Sequence, residues 1–152
     1  MSCVPFPFPP AGGSLDPVVV LSYSDAYRGV SDEYPDGWTS NFKRRIDSSA
    51  SPDVDVISGS GTAYRYVATA SAYTAPEEAV NWPQDDTPSG WIETQPDGLK
   101  YYYDSAGKLT KLVNHLGKVW TVTYVSGTSR VSNILNPASK RTSLTWAGKL
   151  LR

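Results

Sequence analysis

Leu109–Tyr124 reads LTKLVNHLGKVWTVTY, and 22 residues on, Val131–Trp146 reads VSNILNPASKRTSLTW; the two stretches align without a gap. Leu109 stands over Val131, Leu112 over Ile134, Asn114 over Asn136, Lys118 over Lys140, Val122 over Leu144 and Tyr124 over Trp146, while Ser139 takes the place of Gly117. Matches of this kind, kept in register with both turn elements, mark an internal repeat. Within Lys118–Val125 the side chains of Trp120, Val122 and Tyr124 fall on one face and those of Val119, Thr121 and Thr123 on the other, the period of a strand. Each unit of roughly 20 residues therefore reads as two short strands and two turns. A hairpin of that size cannot hide its apolar face alone and is stable only with neighbours at both edges.

The segment KYYYDSAGKL, Lys100–Leu109, supplies part of an earlier copy. Gly98, Tyr101 and Tyr103 follow the Pro96-Asp97-Gly98 turn as Gly117, Trp120 and Tyr124 follow the Asn114 turn, and Gly61, Tyr64 and Tyr66 give a fainter version. Glycine and Asn/Asp recur because such turns need left-handed backbone. The expected fold is all-β, an array of short antiparallel hairpins.

Composition agrees. A chain of 152 residues suits one domain, and 12 glycines, 12 prolines and 12% aromatic residues favour many short strands over a helical bundle. Lys plus Arg (14) nearly cancels Asp plus Glu (15), so no global field gathers nucleic acid or an anionic membrane surface. No apolar run approaches the ~18 residues of a membrane helix. The opening MSCVPFPFPP has neither a charged n-region nor an unbroken apolar stretch, so no signal peptide is read. Cys3 is the single cysteine and leaves the redox compartment undetermined.

Four stretches follow one another. Residues 1–14 are Pro- and Gly-rich and read as a disordered leader. Residues 15–73 read as an opening β segment: a first strand in DPVVVLSYS, a second through Trp38–Lys43, and two more around Gly59-Ser60-Gly61. In it, Lys43-Arg44-Arg45 reads as a solvated strand end. Residues 74–90, with prolines and four carboxylates, read as a long loop holding one helical turn at Pro76–Val80. Residues 91–152 carry the repeat hairpins.

The stretch from Tyr101 to Tyr124 resembles the tyrosine-aspartate (YD) repeat of Rhs-type proteins, with Tyr103, Asp104, Gly107, Lys108, Leu109, Leu112, Gly117 and Tyr124 at the consensus places. The VVVLSYSDAYRG and DGWTSNFKRRI segments are similar to the element that opens the repeat region in that family, so the resemblance spans about Leu15–Arg152. It implies a β-sheet strip that forms part of a shell. In polymorphic toxins such shells enclose a C-terminal effector, so the resemblance also implies an extracellular or cell-surface setting. The structural repeat positions are then Tyr101, Tyr103, Gly107, Leu109, Gly117, Trp120, Tyr124 and Trp146.

Catalytic chemistry finds little support. His115, the single histidine, falls in the Asn114–Gly117 turn, and its counterpart in the next unit is Pro137. A lone histidine and a lone cysteine make no zinc set, and Glu77, Glu78, Asp85 and Asp86 lack the ligand spacing of a calcium loop. The chain is read as a non-enzyme with no cofactor and no metal. Its expected partners are copies of itself or further repeats pairing along edge strands, with Lys140, Arg141, Lys149 and Arg152 as charges that guard the last edge. The alternative is a carbohydrate-binding module on a cell or particle surface, with Trp82 and Trp91 as the stacking groups.

Overall fold

The computed structural model describes residues 17–23, 34, 37–70, 72–79, 81–86, 90–147 and 150–151, together with the backbone of 3–5; for 82, 84–86 and 150–151 as well, only the backbone is described. Among these residues the structure is all-β, without helices. In chain order, β1 (Cys3–Pro5), β2 (Val20–Tyr23) and β3 (Trp38–Ser40) form a three-stranded sheet. A four-stranded sheet follows, of β4 (Arg45–Asp47), β5 (Val54–Ile57), β6 (Ala63–Ala68) and β7 (Tyr73–Thr74). Seven strands make the largest sheet: β8 (Trp82–Asp86), β9 (Gly90–Thr94), β10 (Lys100–Tyr103), β11 (Leu109–Val113), β12 (Val119–Tyr124), β13 (Val131–Leu135) and β14 (Arg141–Ser143). A short ribbon of β15 (Trp146–Ala147) and β16 (Leu150–Leu151) ends the described chain. Every strand pairs antiparallel with its sequence neighbour inside its sheet, and the described strands do not close into a barrel.

The two aligned stretches share a strand, a turn and the start of a second strand, after which they differ: β12 runs on to Tyr124, whereas β14 ends at Ser143 and Trp146 lies in β15. In the turn after β11, the Asn114 amide donates to the Lys118 carbonyl (3.1 Å) and the Gly117 amide to the Asn114 carbonyl (2.9 Å). After β13 the Asn136 amide donates to Lys140 and that of Ser139 to Asn136, both at 2.9 Å. Asn114 Oδ1 accepts from the Leu116 and Lys118 amides, as Asn136 Oδ1 does from those of Ala138 and Lys140. Gly117 has φ 73° and Ser139 φ 61°, so the serine keeps the left-handed turn that glycine occupies one unit earlier. The tertiary contacts repeat too. Tyr124 Oη donates to the Leu109 carbonyl and Trp146 Nε1 to the Val131 carbonyl, each at 2.8 Å. Lys108 Nζ lies 5.7 Å from the Tyr124 ring centre, and Arg130 Cζ 5.6 Å from that of Trp146.

The four- and seven-stranded sheets share one core, joined by Val19 and Phe42, which flank the three-stranded sheet. Val19, Phe42, Ile46, Val54, Val56 and Tyr66 pack with Tyr103, Leu109, Val122, Val131 and Ile134 in a continuous buried cluster. The four-stranded sheet is seated on the repeat turn that follows β10: the Ile46 amide donates to the Gly107 carbonyl (3.0 Å), and Arg45 bridges Lys108. The approach is so close that a Cβ on Gly107 would stand 1.8 Å from the Ile46 carbonyl oxygen.

Several sequence expectations need correction. The leader expected over residues 1–14 contributes β1, whose Pro5 is tolerated because β1 is an edge strand of its sheet; the rest of that stretch lies outside the described residues. The single strand expected through Lys43 stops at Ser40. Asn41 turns the chain there, its Nδ2 donating to the Val18 carbonyl and its Oδ1 accepting from the Val20 amide, both at 2.9 Å. The basic cluster expected to be solvated is largely covered: Lys43 is 7% exposed, Arg44 is mostly covered against Glu93, and Arg45 is half-buried. In the expected loop 74–90, Pro76–Ala79 makes one β-turn, with the Ala79 amide donating to Pro76, and Trp82–Asp86 is a strand. Pro83 fits it because the Gln95 amide donates to Leu99, which directs the polar groups of Glu93 towards β10. The Pro83–Glu93 rung is therefore a non-hydrogen-bonded pair, and proline forfeits no ladder bond.

Candidate functional site

β9 carries the departure from the repeat. Its turn matches the later ones: the Gln95 amide donates to Leu99 (2.8 Å), the Gly98 amide donates to Gln95 (3.0 Å), and Gly98 has φ 85°. Superposing Gly98 on Gly117 places Glu93 where β11 has Leu112 and β13 has Ile134. Ile134 is fully buried in its apolar column, and Glu93 is equally buried, at 0% exposure.

That carboxylate accepts four hydrogen bonds from three side chains. Arg44 grips it in a two-pronged contact, Nε to Oε2 at 2.8 Å and Nη2 to Oε1. The Tyr103 hydroxyl donates to Oε2 and Asn81 Nδ2 to Oε1. The Arg44 guanidinium also lies 4.4 Å from the Tyr101 ring centre. Tyr101 pairs with Glu93 and Tyr103 with Trp91, so period two brings both tyrosines to the Glu93 face. Tyr102, between them, meets Lys111 on the other face, 4.2 Å from its ring centre to Nζ.

Burial opposes the charge on Glu93, but the hydrogen bonds and charge of Arg44, helped by Tyr103 and Asn81, outweigh it and hold the carboxyl below its ordinary range. For Arg44 burial likewise opposes the charge, and Glu93 reverses that and raises the guanidinium. Burial pushes the Tyr103 phenol well up, with the Glu93 charge adding to it, and pushes Tyr66 up to about 12.

The ion pair forms one wall of a cleft of about 220 Å³ between the four-stranded sheet and the start of the seven-stranded one. Tyr64 and Tyr66 of β6 line it, with Ser58 and Ser60 from the β5–β6 turn, Glu78 and Asn81 from the β7–β8 connection, and Gln95. Tyr66 Oη donates to the Asn81 carbonyl at 2.8 Å and fixes that connection. Ser58 and Ser60 hydroxyls lie 2.8 Å apart. Asn81 Oδ1 is buried and has no hydrogen-bond partner.

The residues singled out from sequence fall elsewhere. Trp91 is half-buried and packs its ring 5.7 Å from that of Tyr73. Trp82 pairs with Thr94 and Trp91 with Asp85, three rungs away, or ~10 Å along the ribbon; the Trp82 side chain lies outside the described residues. His115 is exposed in its turn. Lys140 and Arg141 are exposed at the β14 edge, whereas Lys149 and Arg152 lie outside the described residues. Among the described residues, no three His, Cys, Asp or Glu side chains gather as a metal site. Sequence reasoning missed Arg44, Asn81 and Glu93. One signal was present, a carboxylate in the apolar column once the repeat is extended a unit upstream.

The chain matches no protein-family model and no curated protein.

Proposed function

We propose that the chain is a non-catalytic structural module, a piece of an Rhs-type β-shell that associates with further strands through its exposed edges. The observation that carries this reading is the recurrence of a 22-residue unit whose turn, aromatic tie and cation over a ring all return together. Units of this kind are built to be continued, since each buries its apolar face only against the next.

The edge supports it. β14 has no second neighbour among the described strands. The Leu144 amide donates to Ser132 and the Lys140 carbonyl accepts from Asn136, so by alternation the backbone groups of Arg141 and Ser143 face away from β13. An outward row of this kind is a template for strand addition. The edge is short and carries Arg141, which moderates the tendency without removing it.

Light scattering on the eluting protein across micromolar concentrations is expected to show species larger than the monomer, shifted back towards monomer in Ser143→Pro, which deletes an outward donor and leaves the β13 pairing intact. A protein that stays monomeric throughout overturns the reading.

A further inference from the structure

Resting on the edge association proposed above and naming its mate, we infer that the basic β14 edge of one copy docks on the acidic β8 edge of a second copy, so that the chain assembles head to tail.

A near-zero net charge hides a segregation along the chain. Residues 1–104 hold all 15 carboxylates and 6 of the 14 cations, whereas residues 105–152 hold the other 8 cations and no carboxylate. The fold carries this division to the two edges of the seven-stranded sheet. At one edge stands β14, with Arg141 in the strand and Lys140 just before it, both exposed, and Lys118 is exposed in the matching turn one hairpin back. At the other stands β8, whose sequence holds Asp85 and Asp86, and the connection leading into it carries Glu77 and Glu78, both exposed. Neither edge has a second neighbour in its sheet among the described strands.

Distance keeps the two edges from neutralising each other within one molecule. Six strand spacings separate them, about 29 Å across the strands and roughly three Debye lengths at physiological ionic strength. Like charge disfavours the symmetric pairings: β14 laid on a second β14 brings Lys140 and Arg141 of both copies together, and β8 on β8 does the same with Asp85 and Asp86. Only the unlike edges attract. A contact between two different patches is heterologous, so it leaves one free edge of each kind and propagates. At β8 the choice falls mostly to charge, because Pro83, whose rung with Glu93 is non-hydrogen-bonded, removes an outward donor and leaves Asp85 to bond outward. An unrelated acidic polymer fits less well, since the carboxylate excess over residues 1–104 repels it.

The test is sedimentation velocity on the intact chain across micromolar concentrations, at about 20 mM and about 500 mM salt, between which the Debye length shrinks from ~20 Å to ~4 Å. At low salt, species beyond the dimer are expected to grow with concentration, and high salt should weaken the association about tenfold or more. Lys140→Glu with Arg141→Glu, and separately Glu77→Lys with Glu78→Lys, alter exposed side chains only. Each pair of substitutions should weaken association at low salt about tenfold, and an equimolar mixture of the two variants should restore it, because each keeps the edge that the other lost. Association that stops at a dimer, ignores salt, survives the charge reversals or fails to recover in the mixture overturns the head-to-tail mate and leaves the edge reading standing. A chain that is monomeric under every condition overturns both, and if it then binds polyglutamate the basic edge is a polyanion site instead.

Discussion

At the scale of single residues, Glu93 and Arg44 decide most. Removing one member of a buried pair leaves the other charged and unpaired, so Glu93→Gln is expected to cost about 3–5 kcal/mol in urea unfolding. Replacing both, as Arg44→Met with Glu93→Leu, restores the column seen at Leu112 and Ile134 and should recover most of that loss; a double-mutant cycle measures the coupling. The pair also sets the acid limb of stability. Glu93 titrates lower in the folded chain than in the unfolded one, so its contribution is complete above the ordinary carboxylate range and is lost as pH falls through the lowered value. Tyr66 acts in the opposite sense. Its phenol is raised from 10.0 to about 12, so its contribution is complete below pH 10.0 and disappears as pH climbs towards 12. Urea midpoints followed from pH 9 upward should fall in the wild type and fall less steeply in Tyr66→Phe.

Among elements, the repeat turns are alike in backbone and unlike in surroundings, which makes them a matched set. Around Gly117 a Cβ would meet nothing within 4 Å, so Gly117→Ala should cost only the ~1–2 kcal/mol of a left-handed non-glycine residue. Ser139 already bears that strain at φ 61°, and Ser139→Gly should stabilise by about 1 kcal/mol. Gly107→Ala should be the most damaging of the three, since it adds a collision with the Ile46 carbonyl and unseats β4. Thermal melts of these variants rank them directly.

The same turns show how far sequence carries. Their Asn–Gly spacing and the period of two in β11 to β13 are local, and so are legible: hairpins and their faces follow from neighbours a few residues apart. The candidate site is not local. Arg44 and Glu93 meet across 49 residues of chain, and nothing near Arg44 tells a buried guanidinium from a solvated one. Pro83 hid β8 because whether a strand tolerates proline depends on which rung it occupies, and that is set by the partner strand. Asn41 broke an alternating pattern by supplying side-chain amide groups where a ladder would have used backbone.

Over the whole molecule, the four-stranded sheet and the repeat sheet share one core and are joined further through the opening segment, at Lys43–Ser129, Arg44–Glu93, Arg45–Lys108 and Ile46–Gly107. They should therefore unfold as one cooperative unit, with tryptophan fluorescence and far-UV circular dichroism tracing coincident urea transitions. Glu93→Gln, which cuts the charged joint, should pull those transitions apart.

An assembly of near-identical teeth has a weakness of its own: nothing in the teeth prevents the chain from meshing one notch out of phase. The lone acidic tooth supplies the missing key. Were the opening segment to engage one hairpin too far along, Arg44 would come to rest against Leu112, and a stranded cation in an oily slot would expel the mismatch. On this view the misfit at β9 gives a uniform comb its zero mark.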